Sequence, residues 1–347
     1  MENTDKNKHN DAVLIVGAGG FIGGFIARKA LQQGYETWVA VRETTSRRYL
    51  DDPSLHFLVM DYDDPQAMAR TLSEASPSAG RWRYIIYNLG ATKCVNFADF
   101  NRINYIYLRN FTDALAASGR IPDKFLYMSS LSALGPGDEK GYTPLTDDKL
   151  PMPDTRYGVS KIKAETHLQS ISGFPWIIFR PTGVYGPHER DYLMMVKAID
   201  SGWDFGVGFR RQELTFIYVE DLVDAMFQAL DKAPVGRKYI ISYPETVSQA
   251  QFRKLVAHAL GKRIVIPVRL PLWITYCASV VMEKIGVARM QASTLNRDKF
   301  RIMKQRNWSC DISGAVRDFG FAPRFDLKRG IGITVEAYMR EKKGGKK

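Results

Sequence analysis

Cysteine is scarce: Cys94, Cys277 and Cys310 are the three in a chain of 347 residues. Their spacing suits neither a disulfide framework nor a metal cluster, so no metal is expected, and three reduced thiols fit a cytoplasmic protein. The first residues, "MENTDKNKHN", lack an apolar leader and give no sign of secretion. Long hydrophobic runs are missing too. The most apolar stretch, "LPLWITYCASVVM" (270–282), stops at Glu283-Lys284 after 13 residues. That is too short to span a bilayer, and suits a helix that is buried or that lies at a membrane interface. Repeats and low-complexity tracts are absent between two polar ends, 1–10 and 341–347, both expected to be flexible tails. Acidic residues are in deficit, 37 against 49 Lys and Arg, for a net charge of +12. Such a balance suits nucleic acid, an anionic membrane surface or acidic small molecules, and says nothing about fold. No interleaved aromatic and basic motif marks an RNA surface, so nucleic acid is not expected as a partner.

What the chain does have is alternation. Short runs rich in branched and aromatic residues occur at "AVLIVGA" (12–18), "ETWVAV" (36–41), "HFLVMD" (56–61), "RYIIYNLG" (83–90) and "KFLYMSS" (124–130). Segments of helical length separate them, such as "FNRINYIYLRNFTDALAASG" (100–119). Strands alternating with helices imply an α/β fold, a doubly wound parallel sheet of Rossmann type. Parallel strands are buried on both faces, so their runs are continuous rather than alternating. "PWIIFR" (175–180) and "KYIISY" (238–243) extend the sheet, while the pattern loosens elsewhere after about residue 186. The expected division is a dinucleotide-binding domain at 11–186 and 214–243. A smaller, mostly helical substrate lobe, built from interrupted segments, takes 187–213 and 244–340.

"VGAGGFIGG" sets Gly17, Gly20 and Gly23 between the first strand and the first helix. Glycine there permits a tight turn, close approach of a pyrophosphate and tight helix–strand packing. The helix N-terminus adds free N–H groups and a positive dipole end. Phe21 and Ile22, inside the same turn, are expected to line the cofactor. Arg42 ends the second strand, nineteen residues past Gly23, where a carboxylate would accept from a ribose hydroxyl and an arginine suits a 2′-phosphate. NADP is therefore favoured, with NAD the alternative because Glu43 follows directly. Asp61, at the end of the third strand with Tyr62 beside it, is assigned to the adenine.

"RYGVSK" puts Tyr157 and Lys161 four residues apart on one helix face. An ammonium beside a phenol favours phenolate, and a phenol so tuned can pass a proton to a carbonyl or take one from an alcohol. Ser129 and Ser130 end the fifth strand and offer a hydroxyl to the same oxygen.

These residues together resemble an extended short-chain dehydrogenase/reductase of the NAD-dependent epimerase/dehydratase superfamily. The matching order is Gly17-Gly20-Gly23, Asp61, "NLGA" (88–91), Asn104, Ser130, Tyr157-Lys161, "RPTGVYGP" (180–187) and "FIYVEDLVDA" (216–225). The resemblance implies Tyr157 as general acid/base, Lys161 as ribose ligand and tuner, and Ser130 as the residue orienting the substrate oxygen. Ser130 is preferred to Ser129 because it stands five residues before Gly135. Asn104 is implied in proton relay, Leu89, Gly90 and Ala91 in lining the cofactor, and Pro181 and Thr182 in meeting the nicotinamide side. A homodimer through the helices of Asn104 and Tyr157 is also implied, with Ile106, Leu108 and Phe111 as apolar candidates for the contact.

Three departures from the family pattern bear on substrate. Gly183 stands where nucleotide-sugar epimerases usually carry Asn, and Leu214 where they usually carry Arg. Leu131-Ser132 follow Ser130 where sugar dehydratases have Asp-Glu. A diphosphate without such partners would be poorly neutralised. Ser132, Gly183 and Leu214 are expected to line the substrate, with Gly183 leaving room for a bulkier, less polar guest. The ending at 295–338 is similar to the 3-beta-hydroxysteroid-dehydrogenase and dihydroflavonol-reductase-like branch. The expectation is an NADP-dependent oxidoreductase acting on a ketone or secondary alcohol of a hydrophobic, lipid- or sterol-like substrate, such as a 3-keto sphingoid base or ceramide. It would be cytoplasmic, with peripheral contact at an anionic membrane. The alternatives are a nucleotide-sugar epimerase or reductase, and a non-enzymatic NAD(P)- or RNA-binding relative.

Overall fold

The run AVLIV is apolar at every position because both faces of its strand are covered. Val13 and Ile15 enter one hydrophobic cluster, while Ala12, Leu14 and Val16 enter another on the opposite side of the sheet. In the computed structural model, which describes residues 11–344, this segment is β1 (Ala12–Val16). It is followed by α1 (Phe21–Gln32), β2 (Glu36–Val41), β3 (His56–Val59), α2 (Pro65–Glu74) and β4 (Trp82–Tyr87). Next come α3 (Phe97–Asn101), a π-helical turn (Arg102–Ile106), α4 (Tyr107–Ala117), β5 (Lys124–Met128), α5 (Arg156–Ser170) and β6 (Trp176–Pro181). The remainder is β7 (Gly183–Tyr185), α6 (Arg190–Asp200), β8 (Trp203–Val207), β9 (Phe216–Tyr218), α7 (Val219–Lys232), β10 (Arg237–Ile241), α8 (Gln249–Ala259), β11 (Ile266–Leu270), α9 (Leu272–Ala288), α10 (Arg297–Lys304), α11 (Ser313–Phe319) and α12 (Leu327–Gly344).

Seven parallel strands form the main sheet in the order β10-β6-β5-β4-β1-β2-β3. This is a doubly wound Rossmann-type α/β fold. The order reverses between β1 and β4, and a crevice opens outside the carboxyl ends of strands at such a point. There the loops after β1 and β4 meet. Gly17 has φ +83°, and a Cβ on it would lie 2.6 Å from the Leu89 amide nitrogen. The glycine is thus required twice, by conformation and by contact.

Outside the main sheet, β7 pairs with β9 and β8 with β11, each as a two-stranded parallel ribbon. A third cluster, containing Tyr185, Phe216, Phe252, Ile331 and Val335, joins the β7–β9 ribbon to α8 and α12. Two expectations need correction. The α11 segment, assigned to the lobe by sequence, covers the main sheet: Ala315, Phe319 and Phe321 belong to the same cluster as Val13 and Tyr239. Of the expected C-terminal tail, residues 341–344 complete α12, while 345–347 and the tail at 1–10 lie outside the described residues. Leu108 and Phe111, considered for a dimer contact, are fully buried in the chain's own second cluster.

Candidate active site

The glycine turn is built to be empty of side chains. Gly20 caps α1 without a side-chain hydrogen bond, and the first turn of α1 carries no acid. A Cβ on Gly23 would lie 2.4 Å from the Gly17 carbonyl oxygen, so the helix packs directly on the turn. Phe21 and Ile22 pack their side chains against the third cluster, so at this turn they offer backbone rather than side chains. The uncapped amides and the dipole of α1 suit a bound phosphate. Arg42 is exposed at the end of β2, and no ion pair holds it among the described residues. Asp61 is exposed and accepts from the Asp63 amide at 3.0 Å. Tyr62 is a correction. Its ring is 2% exposed in the second cluster and its carbonyl accepts from Asn110 Nδ2 at 2.9 Å, so the side chain does not face the crevice.

The loop after β4 is clamped by Asn104. Its Oδ1 accepts from the Ala91 amide at 2.7 Å, and its Nδ2 donates to the Ala91 carbonyl at 3.0 Å and to Ser160 Oγ at 2.9 Å. Asn104 is wholly buried in the π-helical turn, a type of irregularity frequent at functional sites. Both of its amide hydrogens are used, so the side chain holds the loop of Leu89, Gly90 and Ala91 in place. Gly90 leaves space for Lys161: a Cβ there would be 3.0 Å from Nζ.

Tyr157 and Lys161 lie in the first turns of α5, whose N-cap is Thr155 with its hydroxyl accepting from the Gly158 amide at 3.0 Å. Lys161 Nζ donates to the Met128 carbonyl at 2.8 Å and sits 4.9 Å from the Tyr127 ring centroid and 6.0 Å from that of Tyr157. Burial pushes its ammonium down to about 7, against the pull of Glu165. Burial likewise pushes the Tyr157 phenol up to about 12, and the group that draws it back is the Ser130 hydroxyl, hydrogen-bonded to it. Ser130 Oγ also accepts from the Ser132 amide at 3.2 Å, so Ser132 serves by its backbone.

Behind these residues lies a pair the sequence reading missed. Arg180 Nη2 donates to Glu165 Oε2 at 2.6 Å, with both side chains almost wholly buried. Ser129 donates to the same carboxylate, and Arg180 Nη1 reaches the Asp147 carbonyl at 3.0 Å. The choice of Ser130 over Ser129 now has a physical reason: Ser129 is tied into the core. A signal was available, because Glu165 continues the four-residue spacing of Tyr157 and Lys161, and Arg180 opens "RPTGVYGP".

Pro181 ends β6, buried and paired with Ile241. Thr182 has its hydroxyl engaged with the Thr215 carbonyl at 2.9 Å and the Thr215 hydroxyl at 2.8 Å, and its amide donates to the Ile241 carbonyl at 3.1 Å. Gly183 corrects an expectation: the space beside it is filled. A Cβ there would meet the Tyr192 hydroxyl at 2.0 Å, and the Tyr192 and Phe216 rings stand edge to face at 5.4 Å. Leu214 is bridged to Val247 through its backbone at 2.9 Å and 2.8 Å, and its side chain leans on the third cluster.

A doubly wound sheet with a glycine turn at its switch point, and a Tyr-Lys-Ser set beside it, defines a nucleotide-dependent enzyme of the short-chain dehydrogenase/reductase type. The profile of the NAD dependent epimerase/dehydratase family matches residues 13–242, and the chain belongs to that family. It is similar to a ceramide reductase of Caulobacter vibrioides, 24% identical over 94% of each chain. It is also 24% identical to a dTDP-glucose 4,6-dehydratase of Neisseria gonorrhoeae, over 95% of this chain and 96% of that one. Among solved structures, the UDP-glucose 4-epimerase of Thermus thermophilus in complex with NAD superposes with a TM-score of 0.74 at 19% identity, covering 94% of this chain and 99% of that chain. At that identity the likeness speaks for the fold.

Proposed function

We propose that this enzyme is an NADP-dependent carbonyl reductase, or dehydrogenase of the matching alcohol, acting on a hydrophobic lipid-like ketone such as a 3-keto sphingoid base or ceramide. The observation that carries the substrate class is Gly183 backed by Tyr192. The wall beside it is aromatic, and no amide projects from that position to hold a sugar. The residue after Ser130 is the buried Leu131, so that position offers no carboxylate for elimination from a sugar. Similarity to a ceramide reductase along 94% of both chains supports the same reading.

The glycine turn and the uncapped start of α1 fit a nicotinamide dinucleotide, with Lys161 at its ribose. When bound in reduced form, that group supplies a hydride to the carbonyl carbon. The Tyr157 phenol then donates its proton to the carbonyl oxygen, and the Ser130 hydroxyl donates a hydrogen bond to the charge developing there. Glu165 and Arg180 hold α5 against β6, which fixes the position of both α5 side chains. Arg42, exposed and without a carboxylate partner, supports NADP over NAD, since a guanidinium pairs well with a phosphate.

Titration with both nucleotides tests the cofactor. NADPH is expected to bind more tightly than NADH, and Arg42→Ala to cost about tenfold in NADPH affinity while leaving NADH unchanged. Equal losses for both would refute the assignment. Stabilisation by UDP- or dTDP-sugars, with no oxidation of NADPH by lipid ketones, would favour a nucleotide-sugar enzyme instead.

A further inference from the structure

Two segments of the lobe carry their polarity inside out. α9 buries Thr275, Ser279, Glu283 and Gly286, a polar and small face at helical spacing. It turns Leu272, Trp273, Tyr276, Val281 and Ile285 to solvent, with Trp273 69% exposed. An ordinary surface helix does the reverse. The β8–β11 ribbon repeats the inversion. Trp203 stands opposite Ile266 and Phe205 opposite Val268, and Trp203, Phe205 and Ile266 are exposed. Between them Asp204 points inward, 3% exposed, to Arg253 at 3.1 Å and Arg269 at 3.3 Å. The two faces adjoin at Gly208, where a Cβ would lie 3.4 Å from Leu272 Cδ2. Phe209, next in the chain, is 74% exposed. A contiguous apolar face of this kind marks an interaction surface.

Charge identifies the occupant. Between Lys262 and Met290 the single acidic residue is Glu283. It is turned inward, where Arg156 reaches it at 2.6 Å and Arg297 at 2.9 Å. Arg263, Lys284 and Arg289 remain exposed on this segment. A second copy of the chain would set these cations against their own kind. An anionic bilayer would neutralise them, and Trp273 and Tyr276 have the mixed character that suits the headgroup level. No helix of the described residues is long and apolar enough to cross a membrane. We propose that α9 and the β8–β11 ribbon form a docking face for an anionic lipid bilayer, with α9 lying in the plane of the interface. The Arg156–Glu283 pair ties that helix to the residue preceding Tyr157. A small cleft lined by Phe100, Arg156, Glu283 and Val287 lies between α9 and the start of α5. The Phe100 ring is 6.2 Å from that of Tyr157. The buried polar side of α9 is therefore anchored beside the start of α5, while its apolar side faces away from it.

Flotation of the full chain with vesicles tests this without turnover, so it stands or falls separately from the lipid-ketone reading. Vesicles containing phosphatidylglycerol are expected to carry the protein up, those of phosphatidylcholine alone far less, and high salt to release it. Trp273→Glu and Ile285→Glu are each expected to weaken binding about tenfold or more, because a charge replaces buried apolar area. Both positions are exposed, and unchanged circular dichroism and NADPH affinity would verify folding. Absence of binding to either vesicle, or variants that bind like the parent, would overturn the proposal. So would a dimer in ultracentrifugation that these variants dissolve, with no vesicle binding, since the face would then be an interface between copies.

Discussion

Burial pushes the Tyr157 phenol up to about 12, so in the proposed mechanism reduction has its donor ready throughout the neutral range. The rate of reduction is expected to be flat above about pH 7 until the protein unfolds. Oxidation of the alcohol needs the phenolate and should rise about tenfold per pH unit. Rate profiles in both directions check this, and a fall in reduction as pH rises through about 7 would instead implicate Lys161, whose ammonium gives up its proton there. Gly183 supplies a second test. Gly183→Ala sets a methyl 2.0 Å from the Tyr192 hydroxyl and is expected to cost about 1–3 kcal/mol in denaturant unfolding. Tyr192→Ala in the same chain should absorb most of that cost, a coupling that a double-mutant cycle reads directly. The glycine turn and the Tyr157–Lys161 pair, proposed for cofactor and proton transfer, could be singled out in the sequence because each is a local spacing, within one turn or one helix face. Tyr192 was not, because its ring reaches Gly183 from a helix beginning at Arg190 and nothing in the intervening spacing announces the contact.

At the scale of elements, the buried pair of Glu165 and Arg180 stitches α5 to β6. Removing one partner leaves a charge buried without compensation. Glu165→Ala is expected to lose about 3–5 kcal/mol of stability, whereas replacing both residues by methionine should recover most of it. Chemical denaturation of the two variants decides, and equal losses would show that packing rather than charge matters there. The seven sheet strands were readable in sequence because burial on both faces makes runs such as "RYIIYNLG" uninterrupted. β8 and β11 escaped because "WDFGV" and "IPVRL" expose their apolar residues and bury Asp204, opposite to the polarity that signals a half-buried strand. α11 was misassigned for another reason. Chain order put it among lobe segments, and only the folded chain returns Phe319 to the main sheet, stacked on Phe179 at 5.9 Å.

For the whole molecule, the parts align along one line of function. On the proposed reading, the switch point between β1 and β4 receives the nucleotide and α5 brings the proton donor, while the lobe turns the apolar side of α9 outward. The parallel sheet followed from alternation, whereas its strand order, and with it the switch point, comes from the folded chain, and the proposed substrate preference rests on what stands beside Gly183. Hydride tracing measures the central claim most directly. The protein would be incubated with NADPH deuterated at the transferable position of nicotinamide C4 and with a 3-keto sphingoid base or ceramide. Mass spectrometry of the lipid is expected to find one deuterium on the carbinol carbon. In Tyr157→Phe the rate should fall by about 10²–10⁴-fold with NADPH binding retained. Unlabelled lipid, together with conversion of a nucleotide sugar and no net consumption of NADPH, would contradict the account.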